Sequence, residues 1–559
     1  MTAHDRPGPL SARGLLFAAV LLAAATAPLW AQSVEPKEPG IVLPPVLLKI
    51  QDVTQAKIDT PLPKATGPTL PKVDVILPKE AGVPTPAAAY AVPVPTGAGA
   101  SAAGAKGPPS SFFSEGEIGV GSMNHVLGDV TLYKLGDDPR FRIHFAHNQL
   151  DGYGFRPAGG GYFDRNDAIN GSLSSSKEGL YSLDLGASYT ESQNGLQQLS
   201  PTFNSVTHRF AAGNLAAEYL KAKPFSFGAA VKATNTGITV AGASPLGGNE
   251  LDLEPNLSAA VQFGGVRLGL SGFYGLDRTA ALGAASAAGP TAQLQRAGGA
   301  LSLRAELPLS LTLKASVGLH WDEFNNLIVP FALDLTGDYG DSLSFSLHGG
   351  QRVKELSYAE VWRAMPFLAE EGALHSSLQQ YGGASTQLHF GRTLGLDGGV
   401  EYTADSGAVV PVTLASDGTG LFAFSQEPLV ELSPSVALSW SPAESFTLRL
   451  GWKGSLLESN PFLPSTTFTL SAELANASSR YGGGLTGKWD VYPSGIQIPN
   501  LGLSGFFRVT DGVMFTLSGD DLLSPLIPGG RTLWGNIVPG FPGYYQPGLG
   551  VTLATHISL

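Results

Sequence analysis

Residue types that often carry chemistry occur in this chain, but their spacing does not assemble a reactive centre. Ten histidines are scattered through the 559 residues. His144 and His147 lie three positions apart in a predicted strand, so their side chains point to opposite faces and cannot hold one metal ion. No G-x-S-x-G nucleophile motif and no phosphate-binding loop is present. The sequence therefore predicts a protein that is not an enzyme and that uses no metal and no other cofactor.

Three pairs of adjacent acidic residues offer a second kind of chemistry, the binding of calcium by an external loop. Each pair falls in a predicted turn or loop, where carboxylates are usually solvated. We therefore interpret these residues as solvated turn residues and keep calcium binding as the minor alternative. The pairs are Asp137 with Asp138, Glu370 with Glu371, and Asp520 with Asp521.

The remaining charged residues predict a strand face that lines a water-filled lumen. The formal net charge is −12 and only 14% of residues are charged, so the clustered basic surface of a nucleic-acid-binding protein is not expected. Within predicted strands the charged residues alternate with apolar ones, which predicts an inward face that lines a lumen and sets the selectivity for a solute. The lumen-facing candidates are Arg142, His144, Lys232, Arg267, Lys314, Arg449, Lys453 and Glu473.

The elements that must hold these residues are long strands. Apolar and polar residues alternate strictly in 181–189 and again in 309–321, and a period of two is typical of β-strands. Soluble strands usually have about five or six residues, whereas longer runs are needed to cross a bilayer at a tilt. A strand in lipid also requires a closed sheet, because no water satisfies an open edge. The pattern therefore predicts an all-β, closed antiparallel transmembrane β-barrel.

The connections between these strands alternate in length, as in outer-membrane barrels with short periplasmic turns and long external loops. They give about 22 strands, with a range of about 18 to 24, and both ends on the periplasmic side. A soluble sandwich or propeller is the alternative, but no fixed repeat period is found. The predicted short turns lie at 136–139, 176–179, 221–224, 263–265, 338–341, 441–444 and 510–512, and the long loops near 150–167, 193–204, 241–250, 278–290, 351–380, 405–427 and 521–545.

Two further features concern the ends of this barrel. In the loop 351–380, residues 355–365 have helical spacing, which predicts a helix that either folds inward and narrows the pore or caps the barrel outside. Aromatic residues on the apolar faces near strand ends predict interfacial girdles. These residues are Tyr189, Tyr274, Trp321, Trp440 and Trp452.

The first 112 residues differ in composition from the predicted barrel at 113–559. Residues 1–31 have basic residues, a short apolar run at 14–27 and small residues before a cleavage site after Ala31, which predicts a signal peptide. Residues 32–112 are rich in proline, which favours an extended, largely disordered periplasmic arm. Its apolar segment 41–50 either docks a periplasmic partner by strand addition, lies in the lumen or forms a short helix. The docking candidates are Val42, Leu43, Val46, Leu47, Leu48 and Ile50.

The barrel region resembles the barrel of TonB-dependent receptors. Residues 512–523 are similar to that family's penultimate strand with its asparagine-leucine-leucine-aspartate motif, and 548–559 to its last strand. The resemblance covers about 113–559 and implies an outer-membrane barrel. Two features depart from the family: 32–112 is too proline-rich and too short for the folded plug, and the last residue is Leu559 rather than an aromatic residue. The resemblance thus implies a relative that lacks the usual plug domain.

Two functions are consistent with these patterns. The first is an outer-membrane transporter or channel that moves or binds a small solute, with external loops forming its mouth. The alternative is a surface-exposed scaffold or adhesin whose extracellular loops bind a partner. A barrel of about 22 strands encloses more space than a scaffold needs, which favours transport. The predicted location is the outer membrane of a double-membraned bacterium, and the predicted partners are its lipid, the barrel-assembly machinery, an unknown solute and the periplasmic partner of 41–50.

Overall fold

A computed structural model describes most of the predicted barrel region. It covers 112–559 except 135–138, 154–155, 157, 221–223, 285–290, 324–325, 341, 371–373, 416, 458–463, 477, 494 and 527–535. The predicted signal peptide, the arm up to residue 111 and all docking candidates in 41–50 lie outside the described residues. So do most of the turn predicted at 136–139 and residues 527–535 of the loop predicted near 521–545.

One antiparallel sheet of 25 strands makes up the fold. The first strands are β1 Phe112–Gly121, β2 Val126–Lys134, β3 Arg140–Asp151, β4 Phe163–Lys177, β5 Tyr181–Gly195, β6 Phe203–Tyr219, β7 Phe225–Gly242, β8 Leu246–Phe263, β9 Val266–Ala284, β10 Thr291–Leu307, β11 Leu311–Asp322, β12 Asn326–Ile328 and β13 Phe331–Tyr339. The others are β14 Leu343–Lys354, β15 Ser377–Phe390, β16 Leu394–Leu414, β17 Phe422–Ala443, β18 Phe446–Gly454, β19 Leu456–Leu457, β20 Thr466–Ala475, β21 Tyr481–Tyr492, β22 Gly495–Ile496, β23 Asn500–Thr510, β24 Val513–Asp520 and β25 Gly550–Ser558.

The sheet closes on itself because its first and last strands pair. β1 and β25 run antiparallel, with Glu115 opposite Ser558 and Gly121 opposite Thr552. Three very short strands only continue a neighbour: β12 and β13 both pair with β11, β18 and β19 with β17, and β22 and β23 with β21. Subtracting these three from the 25 leaves 22 barrel strands, which confirms the predicted closed barrel.

Apolar side chains cover the outer face of the barrel. Leu185 on β5 stands opposite Leu173 on β4 and Leu215 on β6, and these three side chains are 40–46% exposed. Continuous exposure of large apolar residues is unfavourable in water and suits lipid. The alternate positions on each strand form the inner face, so the register gives every side chain on a strand a definite side.

The two rims of the barrel differ in their connections. At the turn rim, where β1 begins and β25 ends, the connections are short, such as 264–265 and 444–445. At the loop rim the longest connections are 355–376 and 521–549. The loops predicted near 241–250 and 405–427 are largely strand instead, because β7–β8 and β16–β17 continue as paired hairpins towards the loop rim. Side chains in these hairpins, such as Val240 and Phe422, pack into a buried cluster and do not face lipid, so the alternation of lipid-facing residues did not mark the strand ends.

One α-helix is described, α1 at Tyr358–Ala364, inside the segment for which the spacing predicted a helix. Its N-cap is Ser357, whose side chain accepts a hydrogen bond from the backbone N–H of Glu360, as is favoured at a helix start. Tyr358 and Trp362 on one side of the helix are buried. Among the described residues, no helix combines the length and the hydropathy needed to cross a bilayer.

Candidate functional site

The loop that carries α1 folds into the mouth of the barrel. His208 lies on the inner face of β6, and its Nε2 is 2.8 Å from the carbonyl oxygen of Pro366. The Trp362 ring lies 4.9 Å from the His208 ring, and the Arg363 guanidinium lies 4.6 Å from the centre of the Phe210 ring. The strand β6 is far around the sheet from β14 and β15, which flank this loop. The loop therefore reaches across the lumen, and of the two arrangements left open for the helix the structure shows the inward one.

Aromatic rings from other loops meet the 355–376 loop at the centre of the mouth. Phe367 stacks on Tyr544 with ring centres 3.7 Å apart, and Phe541 stands edge-on to both Phe367 and Phe422 at 5.6 and 5.2 Å. The backbone N–H of Phe422 donates to the carbonyl of Phe367 at 2.8 Å. Stacked and edge-on aromatic pairs add directional attraction to the area that they bury.

Hydrogen bonds fasten the same loops to one another. The Gln197 side chain donates to the carbonyl of Tyr545 and accepts from its N–H, at 2.9 and 2.8 Å. Ser200 Oγ donates to the carbonyl of Gly418 at 2.6 Å, and Tyr544 Oη donates to the carbonyl of Gly420 at 2.8 Å. We call the joined loops 196–202, 355–376, 415–421 and 536–549 the cap. These loops share one buried hydrophobic cluster. The cap can therefore move only if the side-chain packing of this cluster is disrupted.

Directly beside the cap, the inner face of β8 to β10 is acidic. Arg296 on β10 is the counter-ion: its Nη2 lies 2.8 Å from Asp252 Oδ1 and 3.1 Å from Glu254 Oε2, and its Nε lies 3.1 Å from Glu355 Oε2. Glu355 belongs to the cap, and burial raises its pKa to about 7 although Arg296 opposes this. Arg296 therefore ties the cap to two positions on the barrel wall.

Two more carboxyls are enclosed between the cap and the wall. Glu250 on β8 accepts hydrogen bonds from the backbone N–H of Tyr358 at 2.9 and 3.1 Å. Glu370 in the cap is 4% exposed, and within the described ranges neither of its oxygens has a hydrogen-bond partner. A Cβ added at Gly248 would collide with the Glu370 carboxylate, so a larger residue there would displace this carboxylate. Burial raises the pKa of Glu370 to about 8, which keeps this carboxyl largely protonated at neutral pH.

Sequence reasoning missed most of this acidic group. A period of two places Glu250, Asp252 and Glu254 on one face of a strand, which indicates an acidic inner face. This pattern was not recognised because a loop was predicted at 241–250. The interpretation of Glu370 and Asp521 as solvated turn residues is wrong, since they are 4% and 5% exposed. Both belong to loops that fold into the mouth. Burial, with repulsion from Asp520, raises the pKa of Asp521 to about 6. No group of three or more acidic or histidine residues in the described ranges could hold a metal ion.

Further towards the turn rim the same part of the wall is basic. Arg304 on β10 stands opposite Arg267 on β9 and Lys314 on β11, and Lys314 stands opposite Asp334. Arg267 Nη2 lies 3.7 Å from Glu218 Oε1. These side chains line a concavity of about 390 Å³ in the inner wall. We call Arg267, Arg304 and Lys314 the basic wall.

The other lumen-facing candidates occupy positions that alternate with outer-face residues. His144 Nε2 lies 2.7 Å from Asp129 Oδ2, whereas His147 Nδ1 lies 2.6 Å from Asp167 Oδ1 on the other face of the sheet. A role of these candidates in selectivity stays a prediction. In the register, Arg142 stands opposite Tyr133, Lys232 opposite Glu254, Arg449 opposite Ser471, Lys453 opposite Thr467, and Glu473 opposite Thr447.

The girdle candidates lie on the outer face. Tyr274 and Trp321 flank Ala297 from neighbouring strands and are 43% and 41% exposed. Trp440 lies near the turn rim and packs edge-on against Phe446. Tyr189 on β5 donates to Glu191, and Trp452 on β18 stands opposite Phe468. Contact of these rings with the lipid headgroups stays a prediction.

Comparison with solved structures identifies the fold. The ferric enterobactin receptor PfeA of Pseudomonas aeruginosa matches with a TM-score of 0.60 and 11% identity, over 80% of each chain. The iron transporter FrpB of Neisseria meningitidis matches with a TM-score of 0.61 and 10% identity, over 81% of this chain and 82% of that one. No family model matches the sequence, and no curated protein does. The chain has the barrel fold of TonB-dependent receptors, so the predicted resemblance is confirmed for the barrel.

Proposed function

We propose that this protein is an outer-membrane transporter that admits a small solute through a gated mouth. The observation that carries the proposal is the cap, in which four loops from distant parts of the sheet pack together over the lumen. An open porin would not need these buried contacts. A mouth that closes by packing requires a ligand or a partner to bias it open.

The cap also weighs against the scaffold alternative. An adhesin would present its longest loops to solvent, whereas Trp362, Leu368 and Tyr544 in these loops are almost fully buried. The similar solved structures are a ferric enterobactin receptor and an iron transporter. At their low identity they support a solute transporter of this fold and do not identify the solute.

Planar-bilayer recording tests the proposal. The wild-type protein should show little steady current, and the double variant Phe367→Ser with Tyr544→Ser should conduct, because it removes the stacked rings at the centre of the cap. Leu309→Ser, at an exposed turn residue, is the control and should behave like wild type. A double variant that is folded by heat-modifiable gel migration, yet silent with and without residues 32–111, would contradict the proposal.

The arm completes the proposed transporter on the periplasmic side. We propose that 41–50 docks a periplasmic partner or covers the barrel opening, because a plain spacer does not need its apolar residues. Limited proteolysis of the folded protein, with cross-linking at this segment in cells, tests this. Cleavage of 41–50 as fast as of 97–106, together with no cross-linked partner, would contradict it.

A further inference from the structure

The basic wall carries more positive charge than its surroundings neutralise. Arg267, Arg304 and Lys314 stand side by side on three neighbouring strands, and like charges directly opposite each other destabilise a sheet. Arg267 has a distant partner in Glu218, at 3.7 Å, and a hydrogen bond to Ser226 Oγ at 3.3 Å. Within the described ranges, Arg304 and Lys314 make no ion pair within 4.0 Å. Three adjacent cations are therefore retained with one weak ion pair.

The remaining polar lining of the concavity consists of serine hydroxyl groups and two carboxylates, Glu218 and Asp334. Ser258, Ser271, Ser302 and Ser316 belong to the same lining as the three cations. A serine hydroxyl can donate to an anion, and guanidinium and ammonium groups donate only. Charge-assisted hydrogen bonds from arginine and lysine to carboxylate or phosphate oxygens are stronger than neutral ones. With three cations against two carboxylates, this lining keeps a net positive charge, and its donors suit an oxyanion.

From this arrangement we propose that the basic wall binds an oxyanion group, a carboxylate or a phosphate, of the solute that crosses the barrel. This inference rests on the proposed function and narrows the solute class to molecules with such a group. Arg304 and Lys314 are the main binding residues, because within the described ranges neither makes an ion pair within 4.0 Å, although Asp334 stands opposite Lys314 in the register. Arg267 contributes less because Glu218 partly neutralises it. The lining serines orient the oxygens.

Binding to the full-length protein in detergent provides the first test. Inorganic phosphate and acetate are titrated separately by calorimetry, so that the two sources of an oxyanion are distinguished. Arg304→Gln with Lys314→Gln should weaken binding of the better probe about tenfold or more. The control, Arg392→Gln with Arg480→Gln, removes two exposed cations from turns outside the concavity and should leave binding unchanged. Equal binding by both double variants and the wild type, or no binding of either probe to the wild type, would overturn the inference.

Ion selectivity provides the second test and separates the inference from the proposed function. In the cap-opened variant Phe367→Ser with Tyr544→Ser, the reversal potential in a salt gradient should shift towards cations when Arg304→Gln and Lys314→Gln are added. A conducting pore without this shift overturns the inference and leaves the transporter proposal standing. A silent pore with intact probe binding overturns the transporter proposal and leaves the oxyanion site standing.

Discussion

The acidic mouth, on β8 to β10, and the basic wall, on β9 to β11, share strands, yet their charges are arranged in opposite ways. At the mouth, Arg296 has a side chain that is 15% exposed and contacts three carboxylates. In the basic wall, the Arg267 side chain is 46% exposed with one weak partner. Buried charged groups must be paired or neutralised, whereas charged groups in contact with water need no partner. The comparison indicates that the mouth is built to close and that the wall below it is built to stay in contact with water.

The strongest test of this contrast removes the largest buried side chain of the cap. Trp362 is 1% exposed, so Trp362→Ala should weaken cap packing by about 4 kcal/mol. Glu360→Ala on the exposed side of the same helix is the matched control and should cost about 0.5 kcal/mol or less. The rate of proteolysis within 365–376 reports the effect. Equal protection of the two variants would show that the helix does not hold the mouth.

Removal of the counter-ion at the mouth should have the next largest effect. Arg296→Gln leaves Asp252, Glu254 and Glu355 without their shared cation, and we expect a loss of about 3 kcal/mol in stability. Arg304→Gln in the basic wall removes the same type of side chain from a solvent-exposed position. Urea unfolding in lipid vesicles should separate the two variants clearly. If both shift the midpoint equally, the burial contrast between the two regions is wrong.

The pH dependence of closure should follow Glu370. Burial raises the pKa of this carboxyl from 4.5 in its ordinary state to about 8 in the closed cap. Between these two pKa values, Glu370 is protonated in the closed cap and ionised in the open cap. Closure therefore weakens as the pH rises from about 4.5 to about 8, and its free energy is constant above that. Glu370→Gln should reduce this dependence, with the remainder due to Glu355, whose pKa burial also raises to about 7, and Glu360→Gln should leave it unchanged. Proteolysis of the cap between pH 5 and 9 checks it, and an unchanged pH profile in Glu370→Gln would contradict it.

The smallest expected effect on stability lies in the basic wall. Lys314→Gln should change the free energy of unfolding by about 0.5 kcal/mol or less, because a solvated charge without a close partner contributes little. A modest gain is expected if repulsion from Arg304 matters. Unfolding at low and high salt measures this. A loss as large as that of Arg296→Gln would show that Lys314 is a structural residue.

The sequence predicted the barrel better than its mouth, for a physical reason. Strict alternation in 181–189 is found because one face of the strand contacts lipid, and this requirement holds for each strand on its own. The cap depends on contacts between residues far apart in the chain, such as Gln197 with Tyr545, and no local period encodes them. The helix at 355–365 was visible as a pattern, but its inward position was not. Glu370 was misread because an acidic pair in a loop usually faces water.

The central claim is that the cap closes the mouth in the membrane. The natural chain has no cysteine, so Leu368→Cys with Phe422→Cys gives one defined pair at residues joined by a β-bridge. We predict that this pair forms a disulfide in intact outer membranes and resists a membrane-impermeant maleimide, whereas Leu368→Cys with Ser441→Cys, at the opposite rim, does not cross-link. Free thiols at both Leu368 and Phe422 positions, labelled rapidly from outside, would contradict a closed mouth.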